Sequence, residues 1–171
     1  KNKNLRLING LPLIQYAINA AKESKFINEL YINSEADVFK EIANKNSIKF
    51  YKRPDELSSD SASNDDFTLD FIENIEGYII IQILATSPFI KTKEIDGFIE
   101  KMLKHDYKTM ISVSNVQIEC LFENKPINFK QTKQTPPSQL LEPIKSYACS
   151  LMGWDTHVFT ENMSKLNSGY H

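Results

Sequence analysis

Three short stretches hold the side chains best suited to chemistry on a phosphorylated ligand. The first, Lys1 to Arg6, carries Lys1, Lys3, Asn4 and Arg6. The second, Arg53 to Asp66, joins Arg53 to a run of small polar residues that includes Ser61, Ala62, Ser63 and Asn64. The third, Ala85-Thr86-Ser87-Pro88, follows the most hydrophobic segment of the chain. Lysine and arginine supply fixed positive charge for phosphate oxygens, and arginine adds a forked donor geometry. Asparagine and serine offer hydrogen bonds to a base or a ribose. Each stretch also has a plain structural reading. Lys1 to Asn4 would be a solvated end, Arg53-Pro54 the stop of a strand, and the Ser/Asp run a helix-capping loop. Spacing alone leaves both readings open.

The elements between these stretches would have to bring them together. Leu13, Ile14, Tyr16, Ala17, Ile18, Ala20 and Ala21 recur at helical spacing behind Pro12, which suits a first turn. Leu30–Ile32 reads as a short strand, Ala36–Ala43 as a helix, and Ile48–Tyr51 as a second strand closed by Arg53-Pro54. Phe67–Ile75 follows as a helix. Tyr78–Leu84 is continuously apolar, the pattern of a central strand covered on both faces. Lys93–His105 has a helical apolar face, and Thr109–Val113 reads as a further strand. Alternating strands and helices predict an α/β fold: a Rossmann-like, mostly parallel sheet with helices on both faces. In such sheets ligands bind beyond the carboxyl ends of the strands, where the second and third stretches fall, and the first if a strand precedes it. Residues 114–146 lose the helical period and carry Lys125, Lys130, Lys133, Pro126, Pro136 and Pro137; they read as an insertion of hairpins and loops. Tyr147–Met152 returns as a strand and Thr156–Leu166 as a helix, so residues 1–171 make one domain with an insertion.

Bulk properties exclude several classes. Hydrophobic residues make up 41% and charged residues 25%, which is enough apolar surface for a real core in 171 residues. A net charge of −2 gives no large positive field for nucleic acid. No apolar run approaches the roughly 20 residues that cross a bilayer, and no signal peptide opens the sequence, so a cytoplasmic protein is expected. Cys120 and Cys149 stand far apart, and His105, His157 and His171 form no ligand spacing with them, against a structural zinc site. Neither a phosphate-binding Gly-x-x-x-x-Gly-Lys loop, nor a Gly-x-Gly-x-x-Gly turn, nor a Gly-x-Ser-x-Gly elbow occurs in the sequence.

The ordered motifs resemble those of one family. Lys3-Asn4-Leu5 with Asn9-Gly10-Leu11-Pro12-Leu13-Ile14 is similar to the second half of the signature of acylneuraminate cytidylyltransferases, the CMP-sialic acid synthetases. Arg53-Pro54-Asp55-Glu56-Leu57, followed by Asp60 and Ala62-Ser63, resembles their second motif and is the most specific match. Leu84-Ala85-Thr86-Ser87-Pro88 resembles their Gln-Pro-Thr-Ser-Pro. Order and spacing agree over about Lys1 to Val113.

The resemblance implies transfer of CMP from CTP to a sialic-acid-like 2-keto-3-deoxy sugar acid with release of pyrophosphate. It makes Lys3 the catalytic cation, with Asn4, Arg53, Ala62, Ser63 and Asn64 around the nucleotide. Thr86, Ser87 and Gln139 would border the acidic keto-sugar. It further implies magnesium on the phosphates and a homodimer formed through residues 114–146. The sequence departs from the family where Leu84 replaces its Gln, Ser138 its Arg, and Ala148-Cys149-Ser150 its Asn-Gly-Ala. These changes touch the sugar half, so a legionaminic-type or pseudaminic-type acid fits as well. The alternatives are a nucleotidyltransferase for another sugar or sugar phosphate, or an inactive nucleotide-binding homologue. The family's Gly-rich loop and its paired aspartates, which the resemblance makes the metal ligands, are expected in residues flanking this chain.

Overall fold

The computed structural model describes residues 3–132 and 137–167, of which 164–167 are backbone only. Lys1, Lys133 and Pro136 lie outside the described residues. The chain divides into a larger unit, Lys1–Met110 with Ser150–His171, and a smaller one, Ile111–Cys149.

The larger unit opens with a 3-10 turn, Lys3–Leu5, and a small antiparallel hairpin of β1 (Leu7–Ile8) and β2 (Leu11–Pro12). The hairpin turn is Asn9-Gly10, with φ of 47° and 80°. A two-residue hairpin needs two left-handed residues, and Asn-Gly adopts them at little cost. Pro12, at φ −56°, then sets the entry of α1 (Leu13–Lys22), which buries Ile14, Ala17, Ile18, Ala20 and Ala21. β3 (Tyr31–Ser34), α2 (Val38–Lys45) and β4 (Lys49–Lys52) form a crossover unit in which β3 and β4 pair parallel, Tyr31 opposite Lys49. A 3-10 turn at Asp55–Ser58 precedes α3 (Asn64–Asn74). That helix starts three residues earlier than the apolar pattern alone predicts, because Ser63 and Asp66 form a reciprocal capping box.

β5 (Ile79–Ile83) leads through α4 (Thr92–Lys104) to β6 (Thr109–Val116). In the smaller unit β7 (Leu121–Phe122) and β8 (Lys125–Pro126) make a second short hairpin. Long β9 (Ile144–Asp155) runs into α5 (Thr156–Asn167). β9 lies between β5 and β6 and pairs antiparallel with β5, Ile79 opposite Asp155. The α/β class therefore stands, with one reversed strand in it. β5 is less covered than the apolar stretch Tyr78–Leu84 predicts: it sits at the edge of this three-stranded sheet rather than at its centre, and all its residues are only partly buried.

Helices cover both faces. On one, Ile14 and Ile18 of α1 and Phe39 and Ala43 of α2 pack with Ile32, while Ala20, Ala21, Ile95 and Ile99 of α1 and α4 pack with Ile81, Ile83 and Leu151. On the other, Phe71 of α3 meets the Tyr31 and Tyr51 rings edge-on at 5.4 and 5.1 Å, and Trp154 meets Phe159 of α5. α4 comes so close to β9 that a Cβ at Gly153 would lie 2.8 Å from Met102 Sδ and 2.9 Å from Ile81 Cδ1. In the smaller unit Gln117 Nε2 donates to the carbonyls of Gln139 and Leu141, and Asn128 Nδ2 to those of Ile118 and Glu142. Its large side chains Ile118, Leu121, Phe122, Ile127, Leu140 and Tyr147 are exposed.

Candidate functional site

Because β3 and β4 are parallel, their carboxyl ends lie side by side, with Ser34 opposite Lys52. Arg53 is the next residue. Its N–H donates to the Ser34 carbonyl at 3.1 Å, extending the pairing past the strand end. Its Nη2 donates to Glu35 Oε2 at 2.6 Å, and the guanidinium lies 4.9 Å from the centre of the Phe67 ring. Only 16% of the Arg53 side chain is exposed. A cation so placed gains from both the carboxylate and the ring face, and more so as water is excluded. In return, the hydrogen bond from Arg53 holds the Glu35 carboxyl below the usual carboxylate range, against the opposing effect of burial.

Phe67 and Asn64 belong to the first turn of α3. Asn64 Oδ1 accepts from Gln82 Nε2 at 2.9 Å, which ties α3 to β5. One helical turn thus touches both the residue after β4 and a residue near the end of β5. The cap that creates the turn is local: Ser63 Oγ accepts from Asp66 N at 3.1 Å, and Ser63 N donates to Asp66 Oδ2 at 2.7 Å.

Past β5, Leu84 N donates to the Ser150 carbonyl at 3.1 Å, Ser87 N to the Leu84 carbonyl at 3.0 Å, and Ser87 Oγ to Ser150 Oγ at 3.0 Å. The Thr86-Ser87 turn is therefore pinned to β9, with Thr86 exposed. Asn4 stands half-buried in the 3-10 turn, and its neighbour Leu5 packs on the same core cluster as Ile32 and Ala85.

Among the described residues, four side chains carry a buried polar atom with no protein hydrogen-bond partner: Asn4 Oδ1, Asn33 Oδ1, Arg53 Nε and Gln82 Oε1. An unmet buried donor or acceptor costs about 1–3 kcal/mol, so native folds keep few without a purpose. All four residues belong to the strands β3 and β5, to the residue after β4, or to the turn before the first hairpin.

The predicted residues are placed unevenly. Arg53 and Asn64 converge through α3, while Leu5, next to Asn4, and Ala85, two residues before Ser87, pack on one core cluster. Lys3 is exposed on the turn that holds Asn4. Ala62 is half-buried and donates its N–H to Ser59. The Ser63 hydroxyl is engaged by the helix cap. Gln139 lies in the smaller unit, exposed, in the 3-10 turn Ser138–Leu140. The sequence gives no site role to Glu35, Asn33 or Phe67, and Gln82, two residues before Leu84 on the same strand face, is not assumed to replace the family's Gln. Their signals were faint: polar residues at the end of one strand, and a single amide inside an isoleucine run.

A hollow of about 310 Å³ lies at the opposite end of β3 and β4, lined by Ala21, Ile27, Asn28, Ser47 and Lys49, and holds none of the predicted residues. No group of three or more His, Cys, Asp or Glu that could hold a metal occurs among the described residues. The carboxylate next to Arg53, Glu35, is already paired with it. Among the described residues, therefore, none is assigned to magnesium.

Comparison with known proteins identifies the family and the fold. The family model described as cytidylyltransferase matches residues 1–142. The N-acylneuraminate cytidylyltransferase A of Danio rerio is 31% identical over 112 residues, covering 65% of this chain and 26% of the relative. The N-acylneuraminate cytidylyltransferase of Streptococcus agalactiae serotype V is 29% identical over 121 residues, covering 68% of this chain and 29% of the relative. The chain thus spans less than a third of the length of these relatives. Among solved structures, a CMP:2-keto-3-deoxy-manno-octonic acid synthetase complexed with CTP superposes with a TM-score of 0.67 at 14% identity, over 98% of this chain and 80% of that one. That likeness establishes the nucleotide-diphospho-sugar transferase fold.

Proposed function

Since the chain belongs to the cytidylyltransferase family, we propose that it binds CTP at the carboxyl ends of β3, β4 and β5 and transfers CMP to a sialic-acid-like 2-keto-3-deoxy sugar acid. The observation that carries this reading is the set of buried, unpartnered polar atoms on Asn4, Asn33, Arg53 and Gln82. Together they ask for a ligand with anionic, accepting and donating groups, which a nucleotide has. The sugar's anomeric hydroxyl attacks the α-phosphorus, the bond to the pyrophosphate oxygen breaks, and pyrophosphate leaves. This step depends on alignment and on offsetting charge that builds on the phosphate oxygens. Arg53, held rigidly by Glu35 and Phe67, supplies fixed charge at no reorganisation cost. Lys3, exposed on its turn, supplies a second cation that moves to the phosphates. Asn4, Ala62, Ser63 and Asn64 border the nucleotide, and Thr86 and Ser87 the sugar. Magnesium is proposed as the cofactor from the family resemblance, and the steps above are carried by the chain's own cations.

The sugar reading draws support from the N-acylneuraminate relatives, and the departures at Leu84, Ser138 and Ala148-Cys149-Ser150 support a non-neuraminic acid. The exposed apolar side chains of the smaller unit support a homodimer formed by that unit, because patches of this kind mark association surfaces. No helix among the described residues is long and apolar enough to cross a membrane, which fits a cytoplasmic enzyme acting on small molecules. The test is pyrophosphate release from CTP by the complete protein with a panel of 2-keto-3-deoxy acids. Release with one of them and not with sugar phosphates supports the reading. Turnover only with sugar phosphates moves the assignment to the alternative nucleotidyltransferase, and CTP binding without release in any mixture moves it to the inactive homologue.

A further inference from the structure

β5 reads Ile79-Ile80-Ile81-Gln82-Ile83: one amide within a run of isoleucines. Burying an amide is costly unless both its ends are bonded. Here one end is met, since Gln82 Nε2 donates to Asn64 Oδ1 at 2.9 Å, while Oε1 is buried without a protein partner. Strand alternation fixes where that carbonyl faces. Ile81 and Ile83 pack into the core under α1 and α4, so Gln82 faces α3. Asn33 behaves in the same way on β3. Ile32 lies in the core on the α1 side, whereas Tyr31 meets Phe71 of α3, so Asn33 faces α3 as Tyr31 does. Its Oδ1 is a second buried carbonyl without a donor. α3 therefore faces two side-chain carbonyls already stripped of water, one from each of two sheets, and the Arg53 guanidinium lies against Phe67 in the same helix turn as Asn64.

We infer that Gln82, with Asn33 as a second acceptor facing the same helix, selects the base of the nucleotide by accepting hydrogen bonds from the exocyclic amine of cytosine. The inference rests on the nucleotide reading above and deepens it. Cytosine presents an amino group with two N–H donors. Uracil presents a carbonyl at the same ring position, which would set oxygen against oxygen. A site built to bond an N–H rejects a ligand that lacks it, because the site's own buried acceptor is then left unmet. The Asn64 bond fixes the Gln82 amide in one orientation, so the acceptor is in place before the base arrives.

The experiment measures equilibrium binding by calorimetry. The ligands are CTP, UTP and the triphosphate of 2-pyrimidinone riboside, a cytosine analogue without the amine. The proteins are the complete wild-type protein and its Gln82→Leu variant. The wild type is expected to bind CTP at least about tenfold more tightly than either other ligand. Gln82→Leu is expected to lose about tenfold or more in CTP affinity while UTP and the analogue change by less than about threefold. A purely structural role for Gln82 would weaken all three ligands alike, and that result overturns the inference. If Gln82→Leu does not fold, the wild type still decides: equal affinity for CTP and the analogue overturns it. If the wild type binds CTP without discrimination, this inference alone fails. If it binds no pyrimidine nucleotide, the nucleotide reading fails and takes the inference with it.

Discussion

Replacing Glu35 by Gln should destabilise the fold and remove part of its response to acid. The substitution keeps shape and one hydrogen-bond acceptor but deletes the charge that faces Arg53 Nη2 at 2.6 Å. A fully buried pair broken on one side costs about 3–5 kcal/mol, and an exposed pair about 0–1 kcal/mol. Arg53 is 16% exposed and Glu35 34%, so solvent screens the carboxylate side while the guanidinium stays largely dry. The Phe67 ring retains part of the cation's stabilisation. These considerations place the cost at about 1–2 kcal/mol, between the two limits. For a domain of this size that lowers the melting temperature by about 2–8 °C near neutral pH. The pH dependence gives a second, independent reading. The Glu35 carboxyl is held below the ordinary carboxylate range in the fold. Its contribution is therefore complete above the unfolded-state pKa and disappears as pH falls through the lower folded value. Melting curves from neutral pH into acid should show wild type and Glu35→Gln converging. Asp37→Asn, which breaks the exposed Lys52–Asp37 pair, is the control and should change little. Equal effects of the two substitutions, or a Glu35→Gln difference that does not narrow in acid, would refute the reasoning.

Gly153→Ala should cost about 1–3 kcal/mol by overpacking, since the new Cβ would meet Met102 and Ile81 inside 3 Å; chemical denaturation should show a lower midpoint with an unchanged slope. Tyr51 should ionise near pH 12, because burial and then the hydrogen bond to Asp70 raise its phenol from 10.0. A group with a raised folded pKa contributes stability that is complete below its unfolded value and lost as pH climbs through the folded one, so alkaline destabilisation should fall between about pH 10 and 12. Ultraviolet difference titration of wild type against Tyr51→Phe measures it. Ser63→Ala should lose the α3 cap and about 1 kcal/mol, with CTP affinity falling as the Asn64–Gln82 bond loosens; thermal melts with and without CTP separate the two effects.

Much of the fold can be read from local pattern. The apolar stripes of α1, α2 and α4 and the strands β3 and β4 are predicted within about two residues, because each buries one face and the period shows it. The Asn9-Gly10 hairpin is invisible to period because its strands are two residues long. The start of α3 hides in a Ser/Asp run, where a capping box and a flexible loop have the same composition. Antiparallel β9 between β5 and β6 depends on pairing across more than sixty positions, such as Gln82 with Met152, which no local window contains. The same divide runs through the site. Arg53 and Asn64 stand out by type and by motif. Glu35 and Gln82 gain their meaning only from partners eighteen residues away, Arg53 and Asn64.

The most direct measurement of the central claim is a titration of the isotope-labelled chain with CTP, followed by amide and side-chain amide resonances. The account predicts shifts concentrated on Asn4, Asn33, Arg53, Asn64, Gln82 and Ser87, with the Gln82 side-chain amide among the largest. Shifts confined to the hollow around Asn28, Ser47 and Lys49, with those six residues unmoved, would contradict it.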